Sequence, residues 1–436
     1  MGGPEMASRP QRGWFASWRG AFLSLQVRNF RVYWLGQALS MTGRWMQTAA
    51  NGWLVTDLTD SALLVGMVVM AQFLPILLLA LVAGVVIDRV DKRRFLMAME
   101  MAGMIQALTV GMLVVTGTIR LWHLFLLVAA LGTINAFAQP ARQTFISELV
   151  RVELVPNAVG LHSLAFNGSR MIGPAVAGIV IAAVGIGETF LLQAAFMLPS
   201  VLALASLRTE EMQGAPRASA GPLWRELKEG LRYVISSPPI LQPVLMMAFI
   251  GTFGYNFTVA LPLLARQSLH VGSAAYGLMS SAIGAGSIIG ALILAYGRQA
   301  SEARLLVGAG AFSLLLVGLG LSPFYPLSMA ILALLGMAGV TFTATGNARL
   351  QILSPDHLRG RVLSVWFLLF AGSTPIGSAL LGVVANATSI STAVAIFGLL
   401  CSIGVLLGLI RRPYPVHLPA PSMAQRHTYH DPSSQQ

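Results

Sequence analysis

The sequence contains little charge and a single cysteine. Only 10% of its 436 residues are charged, whereas 56% are hydrophobic and the mean hydropathy is +0.72. An average soluble domain is roughly 25% charged, so a soluble globular enzyme is excluded because its surface would lack polar side chains. Cys401 lies in an apolar run, which excludes disulfides within the chain and cysteine metal cages. The chain is therefore a polytopic membrane protein.

Catalytic motifs are also missing. The sequence has no Gly-x-Ser-x-Gly, no phosphate-binding Gly-x-x-x-x-Gly-Lys-Ser/Thr and no His-Glu-x-x-His. The glycine-rich run from Gly284 to Gly290 lies inside an apolar segment, where glycines serve helix packing rather than dinucleotide binding. We predict neither an enzyme nor a bound cofactor or metal.

Apolar segments long enough to cross a bilayer, about 20 residues each, follow one another along the chain. One long polar stretch, 208–239, separates the first six from the last six. The predicted fold is all-α, with twelve transmembrane helices in two six-helix bundles, 31–207 and 240–410. The predicted spans cover 31–55, 62–87, 95–117, 121–140, 158–184, 188–207, 240–264, 274–297, 304–322, 324–351, 361–385 and 390–410.

Basic residues are distributed very unevenly between the two sets of loops. Of the 28 Lys and Arg residues, only Arg120 and Arg266 fall in loops on the side opposite to the N-terminus, and Arg44 and Arg170 fall inside spans. Positive charge collects on the cytoplasmic side of membrane proteins, so both termini are predicted to be cytoplasmic. This bias also accounts for the net charge of +12 without a nucleic-acid partner.

Three further segments are predicted to lie on the cytoplasmic side. Residues 1–30 carry aromatic and apolar residues at helical spacing, which favours an amphipathic helix on the inner leaflet; a disordered basic leader is the alternative. Residues 411–436 are rich in Pro, Ser, Gln and His and are predicted to form a disordered tail. The linker 208–239 should contain an amphipathic helix that tethers the bundles, with an apolar stripe of Leu223, Leu227, Leu231 and Val234.

The two halves repeat several features in the same order. Arg142 after the fourth span corresponds to Arg349 after the tenth, and Gly173-Pro174 in the fifth span corresponds to Pro375 in the eleventh. Such a duplicated six-helix unit is typical of alternating-access transporters, which bind substrate near mid-membrane between the halves.

The loop after the second span reads Gly84-Val85-Val86-Ile87-Asp88-Arg89-Val90-Asp91-Lys92-Arg93-Arg94. It resembles the signature loop of the major facilitator superfamily, Gly-x-x-x-Asp-Arg/Lys-x-Gly-Arg-Arg/Lys, with Asp91 where glycine is usual. Gly84 would permit close helix approach, and Asp88 would pair with Arg93 or with the N-terminus of a neighbouring helix. We expect a conformational latch formed by Gly84, Asp88, Arg89 and Arg93; a merely basic inside loop is the alternative.

Four other stretches narrow this resemblance. Residues 52–61, 139–143, 261–263 and 355–362 look like the branch of the superfamily that contains the enterobactin exporter and macrolide efflux proteins. The resemblance implies a monomeric secondary exporter of the drug:proton antiporter type, in the bacterial cytoplasmic membrane, that moves a drug, siderophore or secreted metabolite. The alternatives are a proton-linked importer, a lipid or lysolipid transporter, and a regulatory membrane protein without transport.

The fifth span carries Gly173, Pro174 and Gly178. This run is similar to the Gly-Pro motif that the superfamily places in the fifth helix of exporters. Gly and Pro together let a helix bend and pack closely, so we expect a gating role. Simple helix packing is the alternative.

Three charged residues lie inside predicted spans and away from the span ends: Arg44, Glu100 and Arg170. Each costs at least ~2.5 kcal/mol at a helix centre, so each should face a cavity or a partner. Arg44 and Arg170 fall near mid-membrane, and Glu100 falls nearer the cytoplasmic end. Arg170 is expected in the cavity wall, where it would hold an anionic or polar substrate group; a structural pair with a carbonyl group or Asn167 is the alternative.

Glu100 is the only acid inside a predicted span away from the span ends. Burial disfavours the charged form of a carboxyl group, so Glu100 is the leading candidate for proton coupling. The alternative is a pair with Arg93, Arg94 or another basic residue of the inside loops. His162 in the fifth span is a second protonatable candidate. The fourth span is predicted to lack the membrane-embedded arginine of many drug and proton antiporters, which weakens the transfer of their coupling scheme.

Polar and aromatic residues on the odd-numbered spans are candidates to line the cavity with Arg44 and Arg170. Packing or interfacial anchoring is the alternative for each. They are Gln47, Asn51, Gln106, Asn167, Tyr255 and Asn256.

Overall fold

In a computed structural model, which describes residues 22–87, 89–213, 223–296 and 300–410, the described chain is almost entirely helical and contains no strand. A short 3-10 turn, Leu23–Gln26, precedes the N-terminal bundle. The six helices of this bundle are α1 (Arg28–Leu58), α2 (Ala62–Ile87), α3 (Lys92–Val115), α4 (Leu121–Leu149), α5 (Val155–Ala183) and α6 (Ile186–Ala205).

The linker helix α7 (Leu223–Ser236) leads into the C-terminal bundle, in which two spans are discontinuous. The seventh span consists of α8 and α9 with π-helical turns at Ile250–Gly254 and Leu264–Ser268, and the eleventh consists of α13 and α14. The helices of this half are α8 (Pro238–Phe249), α9 (Phe257–Leu263), α10 (Ser273–Tyr296), α11 (Glu302–Gly320), α12 (Tyr325–Leu353), α13 (Asp356–Ala371), α14 (Thr374–Ala387) and α15 (Ile390–Ile410).

Eleven helical segments of the described chain are long and apolar enough to cross a membrane. Helix α1 is not among them, because its buried face carries polar residues such as Gln37, Ser40 and Gln47. Its 31 residues nevertheless span about 46 Å, more than the bilayer core, and it packs against α5 and α6. With α1 the chain has twelve spans, and the predicted fold class is confirmed.

The fourth span extends further than the sequence predicts. Helix α4 continues through Pro140 to Leu149, whereas the predicted span ends at residue 140. Ala141, Phe145 and Ile146 keep this extra part of the helix buried at helical spacing. Arg142 therefore lies on a spanning helix and not in a loop.

The amphipathic segments are only partly described. The predicted amphipathic helix in residues 1–30 falls largely outside the described residues, and its last part is the 3-10 turn, where the Ser24 amide donates to Asn157 Oδ1 at 2.9 Å. In the linker, residues 223–236 form α7, which packs against α13. A Cβ atom on Gly230 would lie 2.8 Å from the carbonyl oxygen of Arg361, while Leu231 and Ile235 stay exposed. The predicted tail 411–436 lies outside the described residues.

The two bundles touch through α5 with α10 and through α2 with α14. A Cβ atom on Gly178 would lie 2.9 Å from Cα of Gly277, and one on Gly66 would lie 3.0 Å from Cα of Gly382. These backbone contacts lie toward the end where α1 and α5 finish, which is the predicted outer end. The bundles are closed against each other there.

Candidate functional site

A central cavity lies between the bundles and extends toward the predicted cytoplasmic end. It consists of two adjoining compartments of about 920 and 770 Å³ that share Ser163 and Asn167 of α5. The larger compartment is lined mainly by α1, α2, α4 and α5, and the smaller one by α5, α12 and α13. A cavity between two six-helix bundles fits a small-molecule site.

The charged groups of the cavity wall are all basic. Arg44 and Arg142 line the larger compartment together with His162, and no Asp or Glu is among the residues that line either compartment. Among the predicted cavity residues, Arg44 and Asn167 do lie in the wall. Arg142 was missed because the sequence places it in a loop.

Glu100 of α3 lies directly behind these arginines and is fully buried. Its Oε1 accepts from Arg44 Nη1 and from Arg142 Nη2, both at 3.2 Å, and from Gln37 Nε2 at 3.2 Å. Ser40 Oγ donates to its Oε2 at 2.8 Å. The prediction that the fourth span lacks an embedded arginine is wrong, because Arg142 is buried on α4. Glu100 has two cationic partners, Arg44 and Arg142, rather than a pair with Arg93 or Arg94.

Arg170 of α5 is a third basic residue near the cavity. Its guanidinium carbon lies 5.7 Å from the ring centre of Trp45, a cavity-lining residue, and it makes no ion pair with any residue that the structure describes. No hydrogen bond joins Arg170 to Asn167 among the described residues, and Asn167 Nδ2 donates to the carbonyl oxygen of Ser163 at 2.9 Å. Tyr255 of the other bundle is an electrostatic neighbour of Arg170.

Aromatic side chains form part of the C-terminal side of the cavity, next to the polar residues Thr343, Asn347 and Gln351. Trp366, Phe367 and Phe370 line the smaller compartment. Tyr255 packs edge-to-face on Phe370 with ring centres 5.1 Å apart and stacks on Phe312 at the same distance. Its hydroxyl donates to the carbonyl oxygen of Gly339 at 3.1 Å, which fixes the ring in this cluster.

Several predicted cavity residues lie inside the bundles instead. Gln47 Nε2 donates to Gln106 Oε1 at 2.7 Å, and Gln106 Nε2 donates to the carbonyl oxygen of Leu127 at 3.1 Å. Asn256 Nδ2 donates to the carbonyl oxygen of Thr252 at 2.7 Å, which satisfies a backbone group beside the break in the seventh span. These side chains satisfy interior polar groups, and none of them is among the residues that line either compartment. Asn51 is buried as well and does not line either compartment.

A family model described as transmembrane secretion effector matches residues 19–434. The chain belongs to this family of major facilitator transporters. The staphyloferrin A transporter of Staphylococcus aureus is 25% identical over 85% of this chain and 92% of its own length. The multidrug efflux pump Tap of Mycolicibacterium fortuitum is 27% identical over 80% and 87%, and the enterobactin exporter of Shigella boydii is 28% identical over 87% and 91%. The chain is a transporter and not an enzyme.

Solved structures share the fold at low sequence identity. A bacterial homologue of the human lysosomal transporter Spinster, in an inward-facing and unoccupied conformation, has a TM-score of 0.70 at 13% identity, over 89% of this chain and 98% of that one. A mutant of the nucleoside transporter NupG has a TM-score of 0.71 at 12% identity, over 90% and 100%. These likenesses establish the major facilitator fold.

The signature loop of the superfamily is only partly described here, because Asp88 lies outside the described residues. Arg93 donates from Nε to the carbonyl oxygen of Leu204 at 2.6 Å and from Nη2 to that of Ala205 at 2.5 Å, at the C-terminal end of α6. Asp91, which departs from the family pattern, caps α3 by accepting from the Arg94 amide at 3.1 Å. No described atom lies within 4 Å of a Cβ position on Gly84, so helices are not in close contact there.

The Gly-Pro motif places α5 against a helix of each bundle. A Cβ atom on Gly173 would lie 2.6 Å from Cβ of Trp45 in α1, and Gly178 meets α10 across the bundle interface. The motif therefore packs on the surface along which any movement between the bundles would pass.

Polar contacts that the sequence does not reveal join the bundles at the predicted outer end. Arg266 forms an ion pair with Asp57, which is the only ion pair between the two bundles among the described residues. Tyr276 stacks on Trp53 with ring centres 5.5 Å apart, and its hydroxyl donates to the carbonyl oxygen of Ala49 at 3.2 Å. These contacts close the cavity on that side.

Proposed function

We propose that the chain exports an amphipathic small molecule across the bacterial cytoplasmic membrane by alternating access. The observation that carries this proposal is the central cavity, which is closed at the predicted outer end and extends to the predicted cytoplasmic end. In this arrangement the cavity is ready to accept a substrate from the cytoplasm. Residues of one chain line both compartments, which supports a monomer as the transport unit.

Release on the other side requires the contacts of the outer end to part. The Asp57–Arg266 ion pair would break, and α5 and α2 would move against α10 and α14. Because Gly178 and Gly277 present backbone rather than side chains to each other, these helices can slide without repacking large groups. At the cytoplasmic end, the latch loop with Gly84, Arg89 and Arg93 would then close.

We propose that proton entry drives this cycle, with Glu100 and His162 as the candidate proton carriers. His162 is part of the cavity wall, where a proton has direct access. Glu100 is shielded, so a proton must compete with the two arginines that hold its carboxylate. Protonation would release Arg44 and Arg142 and thereby rearrange three helices at once.

Transport in everted membrane vesicles tests this function. Vesicles with an acidic interior would be offered enterobactin, staphyloferrin A and the dye ethidium, with vesicles lacking the protein as the control. Accumulation of at least one compound, abolished when the pH gradient is collapsed, supports proton-driven export. Transport only in the opposite direction would establish an importer, and no transport of any compound in either direction would contradict the proposal.

A further inference from the structure

We propose that the substrate is an amphipathic anion, bound with its negative group toward the arginines of the N-terminal bundle and its apolar part against the aromatic side of the C-terminal bundle. This inference rests on the proposed export function and names the substrate class of the same cavity.

The charge balance of the site is the first reason. Arg44 and Arg142 share one carboxylate, that of Glu100, so this cluster keeps one positive charge in excess. Arg170 adds another, with no ion pair among the described residues. A positive charge held away from bulk water is costly unless an anion lies close to it. The protein supplies no such anion in the lining of the cavity, and a bound substrate would.

Unused hydrogen-bond donors are the second reason. Arg142 lies in the cavity wall with only 4% of its side chain exposed, and its Nε has no hydrogen-bond partner among the described atoms. Arg44 is 17% exposed, with Nη1 directed to Ser40 and Glu100 and Nη2 to Gln37. Guanidinium groups recognise carboxylates and other planar anions through paired N–H donors. The site therefore offers both charge and donors to an anionic group.

The aromatic side of the cavity defines the rest of the substrate. Phe367 and Phe370 present apolar faces to the smaller compartment beside the buried ring of Trp366, and such faces bind flat or bulky hydrophobic groups without demanding one shape. A cationic compound would find these same faces but no carboxylate in the wall, and it would approach three arginines of like charge. The cavity therefore favours anions over cations of similar size.

The anionic class has a consequence for coupling. A proton on Glu100 removes the negative charge that holds the two arginines, so protonation and anion binding favour each other within one conformation. The proton and the anion therefore do not compete for the site. Their exchange must instead depend on the conformational change between the form open to the cytoplasm and the form open to the outside. A membrane potential that is negative inside also favours the outward movement of an anion.

A matched pair of fluorescent probes tests the substrate class. Dansylglycine is an aromatic carboxylate, and dansylglycinamide has the same ring system without the charge. Binding of each to the purified full-length protein would be measured by fluorescence. We expect at least tenfold tighter binding of the carboxylate, whereas equal affinity for the two probes, or tighter binding of ethidium than of the carboxylate, would overturn the proposal.

Variants locate the charge that makes this difference. Arg170→Gln leaves the Glu100 cluster intact and should lower the preference for the carboxylate severalfold. Arg44→Gln leaves Arg142 paired with Glu100 and removes the one positive charge that this cluster holds in excess, so it should lower the preference as well. Arg151→Gln, at an exposed arginine outside the cavity, should leave the preference unchanged. An unchanged preference in both Arg170→Gln and Arg44→Gln would contradict the assignment.

The two proposals fail in different ways. Vesicle transport of ethidium, with equal binding of dansylglycine and dansylglycinamide, would support the export function and contradict the anionic substrate class. Tight binding of dansylglycine with no vesicle transport of any compound would support the anion site and contradict the export function.

Discussion

Arg142 Nη2 on α4 lies 3.2 Å from Oε1 of Glu100 on α3, and Arg44 on α1 reaches the same oxygen at the same distance. A single buried carboxylate thus connects three helices and neutralises only one of two guanidinium groups. Because Arg44 and Arg142 also line the cavity, this part of its wall carries a net positive charge.

Two substitutions of Glu100 should distinguish its contribution to fold stability from its role in proton coupling. Glu100→Ala removes the anion of a buried ion pair and should destabilise the fold by about 3–5 kcal/mol, seen as a lower melting temperature in detergent. Glu100→Gln keeps the shape and should fold better, bind substrate and lose proton-driven export in vesicles. Unchanged export by Glu100→Gln under an imposed pH gradient would remove Glu100 from the coupling scheme. Glu153→Gln, at an exposed acid, is the matched control.

Weakening the outer ion pair should favour the form that is open to the outside. The side chains of Arg266 and Asp57 are 38% and 41% exposed, so the pair contributes about 1 kcal/mol at most, or about a fivefold change in population. Asp57→Asn should therefore raise the labelling of a Thr48→Cys reporter in the cavity by a membrane-impermeant maleimide added outside, in a Cys401→Ser background.

Two comparisons decide that experiment. The charge exchange Asp57→Arg/Arg266→Asp should return labelling to its original level, because it rebuilds the pair in reverse. Asp60→Asn, at a neighbouring acid without an ion pair among the described residues, should leave labelling unchanged. Equal labelling in Asp57→Asn and the unmodified protein would show that this pair does not hold the outer end closed.

The glycine contact between α5 and α10 should not tolerate a side chain. In Gly178→Ala the new Cβ would lie 2.9 Å from Cα of Gly277, so the helices must separate, at a cost of about 1–3 kcal/mol. Both the melting temperature and the transport rate should fall. Gly168→Ala on the same helix meets no described atom within 4 Å and should be neutral or slightly stabilising. Equal behaviour of the two variants would argue against close packing at the interface.

The twelve spans and the two bundles could be predicted because bilayer thickness fixes the length of an apolar segment. Arg142 could not be assigned to its helix by composition, since Pro140, Arg142 and Gln143 together look like the start of a loop. The signal that would have found it is the helical spacing of the buried residues Ala141, Phe145 and Leu149.

The candidate site was predicted less completely, because a one-dimensional sequence does not show which side chains satisfy each other. Arg44 and Asn167 lie in the cavity wall, whereas Gln47 donates a hydrogen bond to Gln106 inside the N-terminal bundle. For the same reason the sequence does not show the breaks in the seventh and eleventh spans. There the side chains of Asn256 and Ser373 donate hydrogen bonds to nearby backbone carbonyl groups.

Alternating access is the central claim, and a reversible cross-link across the outer end tests it most directly. Ser61 Oγ of the N-terminal bundle lies 3.2 Å from Asn386 Oδ1 of the C-terminal bundle, so cysteines at these two positions can approach each other in a Cys401→Ser background. The measurement is transport by everted vesicles before oxidation, after oxidation and after reduction, with each single cysteine as a control. We predict that oxidation of the pair abolishes transport and that reduction restores it. Undiminished transport by fully cross-linked protein would contradict the claim.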